Sequence, residues 1–493
     1  LLTKSELSAG LQRYFGYQSF KLGQSDTLMA LGEQHCAVAI LPTGTGKSLC
    51  YQLYGLMTKQ PVLVISPLIS LMQDQVKELK YIGEHQAAAL TSMLSKQEKR
   101  FVLRHLAEYH FIFISPEMAL QPAMLRQLQR LKLGLLVIDE AHCISQWGPD
   151  FRPEYLQLGF LRQQLQQPLT LALTATATPR VKKDICNLLF TADEQATVIE
   201  QSVDRPNIYL AVEPAENIVK KNEKLIYLIQ QLKTPGLVYF TSRKATEKFA
   251  QLISEVTDLN AAAYHAELTQ QERFAVQQQF MLGNLDVVCA TSAFGMGINQ
   301  KNVRYVIHYH LPTDLESYLQ EIGRAGRDGQ QSIAILLYSP EDFGRQRQLS
   351  FSNLPQPNEL KNYQTATKQQ RQYLIQNETN YQLIDFYATR GWNVERQQQL
   401  FDQRRQQKRQ QLNSLETYLK LTTCRRQFIC HYFGEAGSSI QHDSKCCQLA
   451  EQPLDLDKLN LRRSNLKKSV KTNKMLSYQQ LLKKMFLNFD SQR

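Results

Sequence analysis

No apolar run in this 493-residue chain approaches the roughly 18–20 residues that a membrane-spanning helix needs, so no membrane partner is expected. The opening residues Leu1-Leu2-Thr3-Lys4-Ser5-Glu6 lack a basic region followed by an apolar stretch, so a secretory signal is not expected either. Leu in first position fits an alternative start codon or a clipped end equally well. Cysteine is sparse, and Cys36, Cys50, Cys143, Cys186 and Cys289 stand singly in apolar surroundings. That reads as the buried, reduced thiols of a cytosolic protein and not as a disulfide framework. Acidic charge is short at the C-terminal end. Residues 401–493 hold 18 Lys+Arg against 8 Asp+Glu, so ten of the formal net charge of +12 lie there. Such an excess fits a polyanion partner or a solvated surface, and charge alone leaves both readings open.

What is present is an ordinary 43% of hydrophobic residues and enough length for two to four domains. Between residues 36 and 340, short apolar runs alternate with amphipathic stretches. Strands are predicted at Ala37–Leu41, Val62–Ser66, Phe111–Ser115, Leu135–Ile138 and Leu169–Leu173. A second series follows at Leu237–Phe240, Ala261–Tyr264, Val287–Ala290, Val303–Ile307 and Ile333–Leu337. Strands alternating with helical patterns imply two α/β domains with parallel, doubly wound sheets. Their boundary is expected near Val203-Asp204-Arg205-Pro206-Asn207, where the proline stops regular structure. From about residue 341 the chain turns glutamine-rich, charged and mainly helical, with one long helix predicted over Asn393–Tyr418. A cysteine cluster at 424–447 and a Lys/Arg-rich tail with a helix-like close at Tyr478–Phe489 complete it.

The segment Leu41-Pro42-Thr43-Gly44-Thr45-Gly46-Lys47-Ser48 follows a strand and opens a helical stretch, the setting a phosphate loop needs. Its glycines let backbone N–H groups crowd a phosphate, and the helix N-terminus adds a favourable dipole. Lys47 would reach the β/γ-phosphates of ATP, and Ser48 would ligate Mg²⁺. About 90 residues on, the run Leu133–Ile138 presents Asp139-Glu140-Ala141-His142 at a strand end, where ligands of open α/β sheets bind. Asp139 would hold Mg²⁺, and Glu140 would polarise the attacking water. Farther on, Gln320-Glu321-Ile322-Gly323-Arg324-Ala325-Gly326-Arg327-Asp328-Gly329 places two arginines three apart, a spacing that on a helix puts both on one face. Arg324 and Arg327 would clamp the γ-phosphate from the second domain, as arginine fingers do.

Taken together, these segments resemble the RecQ family of superfamily 2 DNA helicases, strongly over residues 11–340 and more weakly over 400–447. Phe15, Phe20, Lys21, Gly23 and Gln24 resemble the family's opening motif, which implies nucleotide contacts for Phe20, Lys21 and Gln24, with Gln24 reading the adenine edge. Ser66–Gln75 is similar to a DNA-contacting segment that includes Ser66 and Gln73. Leu173–Thr178 resembles the coupling motif, Tyr239–Lys244 (with Arg243) the motif opening the second domain, and Ala290–Ile298 a further one. His142, Gln146, Trp147, Phe151 and Arg152 match the aromatic loop that links DNA contact to hydrolysis. An indole can stack on an unstacked base and an arginine can pair with phosphate, although Trp147 and Phe151 could also simply pack the loop. His265 matches another DNA-facing position, and the resemblance implies a nucleotide contact for Gln320. The sequence departs from the family at Lys21 (usually Arg), Pro149 (usually His), Glu267 (usually Gly) and Asn299 (usually Asp).

The resemblance implies two tandem RecA-like P-loop domains, at 1–202 (ATP-binding) and 203–340, then a helical, zinc-binding-like subdomain at 341–451 and a basic tail at 452–493. A tetrahedral zinc site needs four N or S ligands, which Cys424, His442, Cys446 and Cys447 could supply, with Cys430 as a substitute. The alternative is a metal-free subdomain with reduced thiols. The tail, with Arg462, Arg463, Lys467, Lys468, Lys471 and Lys474, would contact phosphates or stay solvated. The activity implied is ATP- and Mg²⁺-dependent, 3′-to-5′ unwinding of DNA in recombination and repair. The implied partners are single-stranded DNA, duplexes with a single-stranded tail, and single-strand DNA-binding protein. The implied setting is a monomer in a bacterial cytoplasm or nucleoid. An RNA helicase of the same superfamily and a DNA-binding scaffold with a dead motor are the rival readings. The intact aromatic loop argues against the first, and the presence of Lys47, Ser48, Asp139, Glu140, Arg324 and Arg327 against the second.

Overall fold

A computed structural model of the chain describes residues 2–145, 153–191, 193–294, 300–352, 354–435, 442–449 and 452–464. The chain divides into two compact units. The first holds residues 1–203, 353–406 and 432–435, and the second 204–352, 407–431 and 436–493. Residues of the helical segment after 341 are thus shared between both units. No described helix is long and apolar enough to cross a membrane.

The first unit is built on seven strands: β1 (Ala37–Ile40), β2 (Val62–Ile65), β3 (Ala87–Leu90), β4 (Phe111–Ile114), β5 (Leu135–Ile138), β6 (Thr170–Thr174) and β7 (Thr197–Glu200). They lie in the order β3-β4-β2-β5-β6-β1-β7, every pair parallel. β1, β2, β4, β5 and β6 are buried along their whole length, which is why they read as unbroken apolar runs. Each fully buried Leu, Ile or Val contributes roughly 1.5–3 kcal/mol relative to exposure, and β5 alone buries four. β3 and β7 were not expected. The Ala-Ala-Ala-Leu of β3 has little strand propensity and is held by its pairing with β4. β7 buries only Ile199, so it carries no apolar run. A separate small core joins Leu360, Tyr363, Tyr381, Ile384, Tyr387 and Phe401 within this unit.

The second unit has six strands: β8 (Ile208–Pro214), β9 (Gly236–Tyr239), β10 (Ala261–Tyr264), β11 (Val287–Ala290), β12 (Tyr305–His308) and β13 (Ser332–Tyr338). Their order is β10-β11-β9-β12-β13-β8, again all parallel. β8 forms an edge, and the cysteine-bearing segment is pinned to it. Leu210 N–H donates to the Cys446 carbonyl (3.4 Å) and Gln448 N–H to the Leu210 carbonyl (2.8 Å). The expected basic tail begins as packed chain: Leu456, Leu459 and Leu461 lie in this unit's core. The long helix runs Val394–Leu419, close to expectation. The predicted helix-like close Tyr478–Phe489 and Lys467, Lys468, Lys471 and Lys474 lie outside the described residues.

Candidate functional site

Strand order positions the first unit's chemistry. β6 pairs with β1 on one side and β5 on the other, with Thr174 level with Ile40 and Ala172 level with Ile138. Because the strands are parallel, the loops leaving β1, β5 and β6 emerge side by side at one end of the sheet. Those loops are the phosphate loop, the acidic segment and the Thr-rich coupling motif.

The loop after β1 turns on Gly44 (φ 86°) and Gly46 (φ 77°), left-handed backbone that favours glycine, before the helix Ser48–Thr58. Thr45 closes the turn by donating both its N–H (3.2 Å) and its hydroxyl (2.8 Å) to the Pro42 carbonyl. Thr43, Lys47 and Ser48 are half-buried around the loop. Two residues expected at the nucleotide clasp the loop. The Lys21 ammonium donates to the Gly44 carbonyl (2.8 Å). The Gln24 amide donates to the Thr45 (2.7 Å) and Gly46 (3.1 Å) carbonyls and accepts from Lys21 N–H (2.9 Å). Gln24 is buried, so in this state its amide sets the loop's shape. Phe20 packs against the unit's apolar core.

After β5, Glu140 adopts φ 50°, ψ 48°, a left-handed conformation that costs a non-glycine residue of order 1–3 kcal/mol. The Asp139 carboxylate accepts from Glu140 N–H (3.0 Å), and its carbonyl accepts from the Tyr155 hydroxyl (3.0 Å). Burial, with the Glu140 charge beside it, pushes Asp139 up from 3.8 to about 7, against the pull of Lys47. A metal cation would reverse that penalty, so the site fits Mg²⁺. His142 is buried between the acid and the coupling motif: its Nδ1 lies 3.3 Å from the Glu140 carboxylate and 3.0 Å from the Thr174 hydroxyl. Thr174 donates in turn to the Thr176 carbonyl (3.0 Å), so the imidazole N–H must point at Thr174 and Glu140. Burial pulls His142 down, but Cys143 and Glu140 outweigh it and raise it to about 10. Gln146, Trp147, Pro149, Phe151 and Arg152 lie outside the described residues.

Of the other residues expected at DNA, Ser66 is buried, its hydroxyl without a hydrogen-bond partner among the described residues. Gln73 is half-buried, its amide 3.8 Å from Met93 Sδ. In the second unit, Arg243 is paired with Glu267, the acid that stands where the family usually has glycine. Buried His265 has its Nε2 3.0 Å from Glu247. Asn299 lies outside the described residues.

The arginine pair corrects an expectation. The helix Leu315–Ile322, capped by Asp314 on Ser317 N–H (2.7 Å), carries half-buried Gln320 and stops before either arginine. Arg324 and Arg327 sit on the turn that follows, which Gly326 (φ 55°) bends out of helical geometry. Arg324 is buried with its Nε lacking a partner among the described residues, and Arg327 is half-buried. Burial and the like charges of Arg324 and Arg205 push Arg327 down to about 9, which still leaves it cationic at neutral pH. Such a crowd of guanidinium groups fits an anion. Sequence reasoning missed the braces of this turn. Arg205 donates to the carbonyls of Gly323 (3.3 Å), Ala325 (3.0 Å) and Gly326 (2.8 Å), and Asn207 to those of Gly326 (2.8 Å) and Gln330 (2.9 Å). Arg205 and Asn207 flank a proline, and only the boundary signal was readable there.

The cysteine cluster is compact. Cys424 Sγ lies 3.6 Å from Cys446 Sγ and 3.7 Å from Cys447 Sγ, and the last two are 3.9 Å apart. His442 Nδ1 is 3.7 Å from Cys447 Sγ. A tetrahedral ion with Zn–S bonds of about 2.3 Å requires S···S edges near 3.8 Å, so the three sulfurs stand at the spacing zinc needs, with His442 beside them. Arg426 Nε and Arg425 N–H each donate to a cluster sulfur at 3.3 Å, as outer partners of thiolate ligands do. Buried Cys430 is not among the four residues that converge. Arg462 and Arg463, expected at phosphates, are paired with Asp457 and Asp258. Of the single cysteines, Cys50, Cys143 and Cys289 are buried, while Cys36 and Cys186 are half-buried. Burial pushes the Cys50 thiol up to about 12.

Three families of known proteins match this chain: DEAD/DEAH box helicase over residues 21–185, helicase conserved C-terminal domain over 220–329, and RecQ zinc-binding over 340–449. The chain is 41% identical over 455 residues to the probable ATP-dependent DNA helicase RecS of Bacillus subtilis (strain 168), covering 90% of this chain and 91% of that one. It is 41% identical over 341 residues to the ATP-dependent DNA helicase RecQ of the same organism, covering 68% of this chain but only 57% of RecQ. Among solved structures, Mycobacterium smegmatis helicase Lhr, bound to ssDNA and AMP-PNP, is similar with a TM-score of 0.55 at 20% identity, covering 73% of this chain and 50% of that chain. S. cerevisiae Dbp5, bound to RNA and ADP BeF3, is similar with a TM-score of 0.57 at 19% identity, covering 72% and 93%. At such identities the structural likeness speaks for the fold, two RecA-like parallel-sheet units. The matched families and the likeness to RecS along nearly the whole of both chains give the conclusion that this chain belongs to the RecQ-type ATP-dependent DNA helicases.

Proposed function

We propose that this chain hydrolyses ATP with Mg²⁺ to translocate 3′-to-5′ along single-stranded DNA and unwind duplexes that carry a single-stranded tail, in recombination and repair. The observation that carries the reading is the link Glu140–His142–Thr174, in which the acid suited to polarising water is tied to the coupling motif on the neighbouring strand. In this reading Thr43–Ser48, with Phe20, Lys21, Gln24 and Gln320, binds the nucleotide. Mg²⁺ on Ser48 and Asp139 would neutralise phosphate charge. Lys47 draws on the β/γ-phosphates, Glu140 orients the attacking water, and Arg324 and Arg327 offset the charge that develops on the γ-phosphate. Ser66, Gln73, His142, Trp147, Phe151, Arg152, Arg243 and His265 are assigned to DNA. Residues 1–202 and 203–340 act as the two motor domains, 341–451 as a subdomain holding zinc on Cys424, His442, Cys446 and Cys447, and 452–493 as a basic extension. We place the chain in the cytoplasm as a monomer, with single-strand DNA-binding protein as a partner.

ATP turnover with and without single-stranded DNA or RNA, and strand displacement from 3′-tailed, 5′-tailed and forked duplexes, test the reading. DNA-stimulated turnover abolished by Lys47→Ala, with unwinding of 3′-tailed substrates, is expected. Stimulation by RNA alone overturns the substrate assignment, and turnover indifferent to DNA and to Lys47→Ala overturns the motor.

A further inference from the structure

A continuous polar chain within the second unit joins the cysteine cluster to the arginine turn. Arg426, on the helix that follows Cys424, is 4% exposed and has all five of its N–H donors engaged. Its Nε donates to Cys446 Sγ (3.3 Å). One terminal nitrogen donates to the Asp204 carboxylate and the Arg205 carbonyl (2.9 Å), the other to the carbonyls of Ile208 (2.6 Å) and Cys446 (3.0 Å). The backbone of Arg205 is therefore fixed from the cluster side. The side chain of the same residue reaches the other way, onto three carbonyls of the turn between Gly323 and Gly326. Charge-assisted donors of this kind are the strong ones, and a planar fork fixes direction as well as distance. The turn's far side is held independently, by Arg304 on the Asp328 carboxylate (2.6 and 2.7 Å). The brace through Arg205 leads back to the cluster, and the one through Asn207 runs beside it, since Arg426 also holds the neighbouring Ile208 carbonyl.

We infer that Arg205 is a positioning residue for Arg324 and Arg327, and that Arg426 makes this positioning depend on the Cys424–His442–Cys446–Cys447 cluster. The cluster then acts on the rate of ATP hydrolysis and not only on stability or DNA holding. The inference rests on the proposed role of the arginine pair at the γ-phosphate. An arginine that stabilises developing charge must be placed to within a fraction of an ångström, and a misplacement of about 1 Å costs a rate factor on the order of 100. Loosening Arg205 should lower kcat while leaving ground-state nucleotide binding and DNA affinity in place.

The test uses the full chain and the variants Arg205→Gln, Arg205→Lys, Arg426→Lys, Arg324→Ala and the double variant Arg205→Gln/Arg324→Ala. Steady-state ATP turnover at saturating single-stranded DNA is read alongside DNA affinity, zinc content and hydrogen exchange of peptides covering 320–330. Arg205→Gln should lower kcat by about 10-fold or more with KM for ATP and DNA affinity within about twofold, zinc retained, and faster exchange over 323–326. Arg205→Lys, which keeps the charge but loses the fork, should fall between wild type and Arg205→Gln, and it serves if the glutamine variant does not fold. The double variant should be no slower than Arg324→Ala alone, since both changes remove one function. Arg426→Lys with zinc bound, and wild type stripped of zinc, should show the same faster exchange over 323–326. If Arg324→Ala is inactive while Arg205→Gln turns over like wild type, or if the two losses multiply, the relay is refuted and the arginine pair keeps its role. If Arg324→Ala itself turns over normally, the role of the pair falls and the relay falls with it.

Discussion

Replacing Asp139 by Asn should stabilise the nucleotide-free protein while destroying its activity. The change removes a charge that the fold holds at a cost and leaves an oxygen to accept from Glu140 N–H. The shift from 3.8 to about 7 corresponds to about 3 pKa units, at 1.36 kcal/mol each a ceiling of about 4 kcal/mol. Part of that depends on the Glu140 charge, so about 2–4 kcal/mol is expected. The sign follows from proton counting. Below about pH 4 both folded and unfolded chains carry the proton, and the variant gains nothing. Between 3.8 and 7 the folded chain keeps a proton that the unfolded one has lost, so wild-type stability falls as pH rises. Above 7 the whole cost is present. In magnesium-free buffer without nucleotide, calorimetry at pH 8 should place the first unit's transition roughly 5–10 °C higher in Asp139→Asn than in wild type. At pH 5 the gap should shrink to roughly two-fifths of that. Adding Mg·ATP should reverse the order, because wild type then gains ligand stabilisation that the variant lacks. A variant equally or less stable at pH 8, or a gap that does not change between pH 5 and 8, would refute the argument that desolvation governs this carboxylate.

Three further outcomes are expected. Glu267→Gly should free Arg243 for a phosphate, tightening single-stranded DNA binding several-fold and steepening the salt dependence of log K by about 0.7; an unchanged slope in a fluorescence titration would remove Arg243 from the DNA contacts. Metal analysis should find one zinc per chain in wild type and Cys430→Ser, and markedly less in Cys424→Ser and Cys447→Ser; equal loss in Cys430→Ser would mean a different ligand set. Lys221 and Asp342 form a buried ion pair (2.5 Å), and Lys221→Ala should cost about 3–5 kcal/mol by leaving a buried carboxylate unpaired. A double replacement of that pair by apolar residues should recover much of the loss in a thermal melt, and no recovery would point to lost packing instead.

The residues before and around Asp139 show how far sequence reaches in this protein. A strand buried on both faces must be apolar throughout, so β5, β1 and β2 announce themselves, and the glycines and acids at their ends follow in register. The phosphate loop was legible for the same reason: its conformation is set by residues next to one another. β3, whose Ala-Ala-Ala-Leu has little strand propensity and pairs with β4, was not. The turn carrying Arg324 and Arg327 kept the spacing of a helix until Gly326 broke it. Gln24, expected at a base edge, lies on the loop's own carbonyls, a contact 21 and 22 residues away in sequence. Arg205 meets Gly323 across 118 residues and Arg426 meets Asp204 across 222. Periodicity and turn chemistry are local properties of the chain, so the sequence by itself determined most of the strands, the nucleotide loop and the family. Which buried guanidinium finds which carbonyl depends on strand order and on what each donor must satisfy once water is gone, and that only the tertiary structure decided.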